Sequence, residues 1–323
     1  MLSQQLIRTQ PSCSPRTFRC PSACRSLSHS ASSRRPRRVL FNVPGSDERK
    51  IHKALSLDLD VIVLDLEDGV SPNKKHEARS LVGQKLKSCH FGRSERCVRI
   101  NSSNSGLEFE DLKSLLPFLE YIDSILIPKV ETAEDLLFVD DLLLQNNNTR
   151  TKLFAAIESP RALLNLRPIC NATPRLDCLI FGSEDYVANA GMTRSSGLEE
   201  LAYARSKIVT YASAHSLYST DLVCIDYKNI EQLKKESISG FTLGFDGKQA
   251  IHPGQVDTIY QCFQPPIETV EFAKKIVSEY RAHSSAGKGA FVINDKMIDL
   301  PMVKWALKVL SKASVPVEQL PSV

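Results

Sequence analysis

The sequence predicts an α/β protein, a closed (β/α)8 TIM barrel with a C-terminal extension. Three observations lead there: eight short apolar runs, longer amphipathic segments between them, and no glycine-rich phosphate loop after the first run. The runs are Val39–Val43, Val61–Leu66, Cys97–Asn101, Ile125–Lys129, Leu153–Glu158, Cys178–Gly182, Asp221–Asp226 and Gln249–His252. They are rich in Val, Ile, Leu and Phe without strict polar alternation, which is the pattern of strands buried on both faces.

The intervening segments have helical spacing. Asn73–Lys87 follows Pro72 and places Ala78, Leu81, Val82 and Leu86 together. Leu198–His215 puts Leu198, Leu201, Ala202, Ile208 and Ala212 on one stripe, and Thr132–Leu144, Asn229–Glu236 and Glu268–His283 are similar. Strands alternating with helices make a parallel sheet. An open doubly wound sheet would carry G-x-G-x-x-G after its first strand, whereas Val43-Pro44-Gly45-Ser46-Asp47 stands here. Eight units over roughly 215 residues match a closed barrel.

The ends of the chain differ from this middle. Residues 1–36 hold six Arg, many Ser and no acid, the composition of a disordered organelle transit peptide, with a plain basic tail as the alternative; a mitochondrial address is favoured over a plastid one. Pro11, Pro15 and Pro21 interrupt any secretory apolar core. Without those six, 35 basic residues stand against 37 acids. The basic character therefore belongs to the leader, and nucleic-acid binding is not expected. No run of 18 apolar residues suggests a membrane span. Cys89, Cys97, Cys170, Cys178, Cys224 and Cys262 include no C-x-x-C pair, so neither a zinc site nor a redox motif is expected. The barrel is placed at residues 37–264 and the helical extension at 265–323.

Barrel active sites form at the C-terminal strand ends. There the sequence puts Glu67 and Asp68 after strand two, Arg99 on strand three, Lys129 and Glu131 at strand four, Glu158 at strand five and Glu184-Asp185 at strand six. Carboxylates converging on one axis repel unless a cation neutralises them, and an all-oxygen set suits a hard ion such as Mg2+. Arg99 suits a substrate carboxylate, because its fork matches that group in bidentate geometry; pairing with one of the acids is the lesser alternative. A single acid at a strand end is as often a helix cap. Arg49 and Lys53 lie four apart on the first helix and could hold phosphates or be a solvated pair.

Six segments carry a family resemblance: Val43-Pro44-Gly45, Leu64 to Val70, Val98-Arg99-Ile100-Asn101, Ile127 to Glu131, Phe181 to Asp185, and Gly247 to Pro253. With Gly287 to Phe291 and Met297 to Pro301, they resemble the citrate lyase beta-subunit branch of the HpcH/HpaI aldolases over roughly residues 37–310. The resemblance implies a mitochondrial-matrix homotrimer that binds Mg2+ through Glu158 and Asp185. It implies that Arg99 holds the substrate carboxylate and that Arg49 and Lys53 meet CoA. Asn42, Glu67, Asp68, Gln249 and Ala250 would line the same site. It implies Asp299 as catalytic acid/base, on an extension that packs on a neighbouring subunit. The implied reaction is reversible cleavage of (3S)-citramalyl-CoA to acetyl-CoA and the 2-oxo acid pyruvate, with malate synthase-type side activity. A CoA-independent pyruvate aldolase and a non-catalytic CoA-ester binder are the alternatives. Asn42, Arg49, Ser183 and Ser159-Pro160 depart from the family pattern and bear on substrate preference.

Overall fold

A computed structural model describes residues 35–285, 290–294 and 296–313. The leader up to residue 34 and Gly287–Gly289 of the tail motif lie outside the described residues. Eight parallel strands close into a barrel in sequence order, with the first strand pairing to both the second and the eighth. They are β1 (Val39–Pro44), β2 (Val61–Asp65), β3 (Glu95–Arg99), β4 (Ser124–Ile127), β5 (Lys152–Ile157), β6 (Leu176–Phe181), β7 (Tyr218–Asp221) and β8 (Gly247–Ala250).

Helices cover the outer face: α1 (Glu48–Leu55), α2 (Lys75–Ser88), α3 (Glu108–Leu115), α4 (Ala133–Gln145), α5 (Pro160–Leu164), α6 (Leu166–Cys170), α7 (Ser183–Ala190), α8 (Ala202–Ala214), α9 (Ile230–Leu243) and α10 (Val256–Phe263). The expected (β/α)8 class is therefore what the chain adopts. Beyond it lie α11 (Ile267–Ser285), the antiparallel hairpin β9 (Phe291–Ile293) and β10 (Lys296–Ile298), and α12 (Leu300–Lys312). These pack a core of their own from Ala273, Ile276, Phe291, Ile298, Val303, Ala306 and Leu310. Among the described residues no helix is long and apolar enough to cross a membrane.

Alternation along each strand sorts the two cores. Leu40, Val61, Val63, Cys97, Leu126, Phe154, Ala156, Cys178 and Ile180 fill the barrel interior. Their neighbours, such as Ile62, Leu64, Val98 and Leu179, face the helices. One step further along several strands the next inward position is polar: Asn42, Asp65, Arg99, Glu158 and Gln249. The opposite pole is shut by Arg37. Its guanidinium lies between the Phe154 and Tyr218 rings and donates to Glu95 and Asp177 at 2.7 Å each.

Strand seven differs most from expectation: the apolar run places it at Asp221–Asp226, where β7 ends rather than begins, while β3, β6 and β8 each start two residues before their expected runs. Hydrophobicity misleads because β7 is polar and buried. The Ser219 N–H donates to Asp246 at 2.9 Å, and Asp221 accepts from Arg205 Nη2 at 2.7 Å. Leu222 and Cys224, also buried, lie beyond the strand.

One buried acid yields a pH prediction. Glu108 on α3 is 8% exposed, and its Oε1 has no hydrogen-bond partner. Burial first, then Asp135 and Asp111, push its carboxyl up to about 7. The folded state thus keeps this proton where the unfolded chain has released it. The stability it contributes is complete below the ordinary glutamate value and is lost as pH rises towards about 7. Glu108→Gln should raise the melting temperature at pH 8 by about 2–4 °C for each kcal/mol of relief and give no gain at pH 4. Equal shifts at both pH values would contradict this.

Candidate active site

The polar ring sits at the C-terminal pole of the barrel. Asp65 ends β2 and is 2% exposed. Its oxygens accept the N–H groups of Glu67 and Gly69 at 2.8 Å each, which shapes the turn after the strand. A Cβ on Gly69 would stand 2.5 Å from Asp65 Oδ2, so the turn requires glycine. Arg99 clamps the same carboxylate in a bidentate pair, Nε and Nη2 each at 2.6 Å. The alternative for Arg99, an ion pair with a site acid, is therefore present. Nη1 remains, 3.1 Å from Glu67 Oε2 without the alignment of a hydrogen bond, and 3.8 Å from Asp68. The adjacent carboxylates outweigh the cost of burial and hold Arg99 protonated.

Lys129 follows β4 with φ +50°, a left-handed conformation costing about 1–2 kcal/mol for an L residue. Such strain concentrates at working sites. Its ammonium donates to Glu67 Oε1 at 2.8 Å and lies 3.7 Å from Asp68 and 3.9 Å from Asp185. Lys75 on α2 supports the same turn, donating to the carbonyls of Leu66 and Glu67 and to Asn101 Oδ1 at 2.7–2.8 Å.

Glu158 follows β5 at 7% exposure, and its Oε2 has no hydrogen-bond partner. Burial, then Glu67 and Asp185, push its carboxyl up to about 8. Burial likewise raises the Glu67 carboxyl. Gly182 backs Glu158: a Cβ there would stand 2.5–2.8 Å from the Glu158 side chain. Asp185 lies in the first turn of α7 with its side chain 40% exposed. Across the mouth, Asn42 Nδ2 donates to Gln249 Oε1 at 3.4 Å and Gln249 Nε2 to the Phe181 carbonyl at 3.1 Å. Ala250 is fully buried.

The site thus gathers Glu67, Asp68, Arg99, Glu158 and Asp185, bridged by Lys129, with Asn42 and Gln249 on the far side. Arg49 and Lys53 stand exposed on α1. Asp299 is exposed as the N-cap of α12 and accepts from the Met302 N–H at 3.2 Å. No described hydrogen bond or ion pair joins it to the mouth. The sequence puts Asp65 and Lys129 at strand ends without indicating a role for either, and it carries no signal for Lys75.

The donors are all oxygen. Among the described residues no group of three or more acidic, His or Cys side chains forms a metal cage. Two carboxylates with open positions suit magnesium, which keeps waters and substrate oxygens around itself.

The family model described as HpcH/HpaI aldolase/citrate lyase matches residues 37–253. The chain belongs to that family. It is 38% identical over 304 residues to the mitochondrial citramalyl-CoA lyase of Homo sapiens, covering 89% of each. It is 34% identical to the citrate lyase subunit beta of Haemophilus influenzae, covering 86% of this chain and 97% of that protein. The CitE protein of Mycobacterium tuberculosis, solved with magnesium, acetoacetate and coenzyme A, superposes with a TM-score of 0.71 at 25% identity, covering 86% of this chain and 98% of that one. The aldolase/citrate lyase match takes in every candidate site residue except Asp299.

Proposed function

We propose that this chain is a Mg2+-dependent carbon–carbon lyase that cleaves (3S)-citramalyl-CoA to acetyl-CoA and pyruvate, reversibly and in the mitochondrial matrix. The observation that carries this is the buried Glu158 carboxylate with an unbonded oxygen, set among Glu67, Asp185 and the Lys129 ammonium. A buried acid with too few partners calls for a cation. The family membership and the CoA ester and oxo acid named for its relatives supply the reaction class.

Glu158 and Asp185 would hold the ion, which when bound supplies Lewis acidity to the substrate oxygens. Asp65 holds the Arg99 fork rigid, with Nη1 left for the substrate carboxylate, and so orients the bond to be broken. Glu67 holds Lys129 over the same mouth. Asn42, Asp68, Gln249 and the Ala250 backbone line the acyl end, and the exposed Arg49 and Lys53 take the phosphates of CoA. In cleavage the bond between the acetyl carbon and the carbinol carbon breaks. The hydroxyl gives its proton to water as the pyruvate carbonyl forms, and the acetyl carbon gains one. Asp299 delivers that second proton.

Asp299 would act on the mouth of a neighbouring subunit in a homotrimer. Just before it, Val292 and Met297 form a directly opposed hairpin pair, 67% and 75% exposed, an apolar face open to another chain. A pocket that accepts pyruvate gains only about 1–3 kcal/mol from its methyl group, so condensation of acetyl-CoA with glyoxylate is an expected side activity.

Incubating the purified protein with Mg2+ and a panel of hydroxyacyl-CoA thioesters should give acetyl-CoA and pyruvate from the citramalyl ester. Turnover of free citramalate would instead identify a CoA-independent aldolase. Gly182→Ala should displace the Glu158 carboxylate and weaken the Mg2+-induced rise in melting temperature, while the metal-free protein melts nearly as before. An undiminished rise would remove Glu158 from the ligand set.

A further inference from the structure

Residues Gly182–Asp185 leave β6 and begin α7. Two consecutive residues of β8 hold this segment from opposite sides, although β7 lies between the two strands. On the inner side Gln249 Nε2 reaches the Phe181 carbonyl. On the outer side Lys248, 0% exposed, sets Nζ 3.1 Å from Glu236 Oε2 on α9. Glu236, also buried, accepts on Oε1 from Arg194 Nη2 at 3.3 Å and from Gln232 Nε2 at 3.2 Å. Arg194 turns Nη1 onto the first turn of α7, donating to Ser183 Oγ at 3.3 Å and to Glu184 Oε1. Its Nη2 also donates to the Val223 carbonyl at 2.9 Å, in the loop after β7.

A chain of charges therefore runs from Lys248 through Glu236 and Arg194 to Glu184, the neighbour of Asp185. Burying ion pairs gives back little more than their desolvation costs, and apolar replacements are often as stable. Stability alone thus gives no reason for a fully buried lysine in this wall. Orientation does: among the described residues no hydrogen bond fixes the Asp185 carboxylate, and the ion pair that reaches it, to Lys129, is long at 3.9 Å. Where it points is set by the turn that Arg194 grips.

We propose that Arg194, anchored by Glu236 and Lys248, is a positioning residue that aims Asp185 at the divalent cation. This rests on the magnesium site proposed at Glu158 and Asp185. Outer groups that orient metal ligands are worth about 10–100-fold in metal affinity. The test uses the full chain with Arg194→Met and Glu184→Ala, titrating Mg2+ against both melting temperature and turnover.

Each variant should need about 10–100-fold more Mg2+ for the half-maximal melting shift. Saturating Mg2+ should restore kcat, the KM for the thioester should stay unchanged, and Arg194→Lys should recover part of the loss. Should Arg194→Met not fold, the half-exposed Glu184 carries the test through its alanine variant. A wild-type Mg2+ response in a folded variant overturns the proposal, as does a fall in kcat that Mg2+ does not restore. A wild-type protein that shows no Mg2+ response at all overturns the metal site itself, and that outcome is distinct from either.

Discussion

Asp299→Asn is expected to leave a folded, Mg2+-responsive protein whose turnover is about 10²–10⁴-fold lower, the usual contribution of a positioned general acid–base group. Asparagine is the cleaner change because Asp299 also caps α12. It keeps an acceptor for the Met302 N–H and removes only the titrating proton. Asp299→Ala should lose the same turnover and about 1 kcal/mol of stability besides. Turnover and melting curves on both variants separate the two roles, and near-normal turnover in either would remove Asp299 from the chemistry. Subunit mixing locates the site on which it acts. At the Mg2+ concentration that half-saturates wild type, a nearly inactive Asp299→Asn chain mixed with an Asp185→Asn chain should regain activity where an intact Asp299 meets an intact Asp185 across an interface. No recovery in mixed oligomers would return Asp299 to its own barrel.

Asp185→Asn should raise the Mg2+ concentration for half-maximal activity by at least about 100-fold, beyond what losing a supporting partner of a ligand costs. The physical reason lies in the imbalance of the mouth. Glu67, Asp68 and Asp185 lie around Lys129 and Arg99 Nη1, and Glu158 adds a further acid to the same field. Removing one negative charge lowers the demand for a second cation. It also relieves Glu158, whose carboxyl Asp185 helps to push up. The metal-free variant should therefore melt no lower than wild type while responding far less to Mg2+. An unaltered Mg2+ titration would show that Asp185 is not a ligand.

Much of the fold was legible because the barrel rests on two-sided burial, which leaves apolar runs such as Val61–Leu66 and Leu153–Glu158. It failed at β7, where Ser219 and Asp221 are buried but satisfied by Asp246 and Arg205 from other elements. Pairing between residues distant in sequence cannot be read from hydrophobicity. The acids of the mouth were legible as polar residues at successive strand ends. What linked them was not. Lys129 works through a left-handed backbone, Asp65 works by gripping Arg99, and Lys248 reaches α7 only through Glu236 and Arg194. The last two are tertiary contacts, and none of the three has a signature in the local sequence. Asp299 entered through family resemblance, and within one chain its position is explained by helix capping alone.

The central claim is that carboxylates from separate strands converge on one divalent ion at one mouth of the barrel. A crystal of the protein grown with Mn2+ in place of Mg2+ tests it most directly through the anomalous signal of the metal. The expected result is one strong peak per chain, about 2.0–2.2 Å from a carboxylate oxygen of both Glu158 and Asp185. A peak bound elsewhere, or none at that mouth at saturating Mn2+, would contradict it.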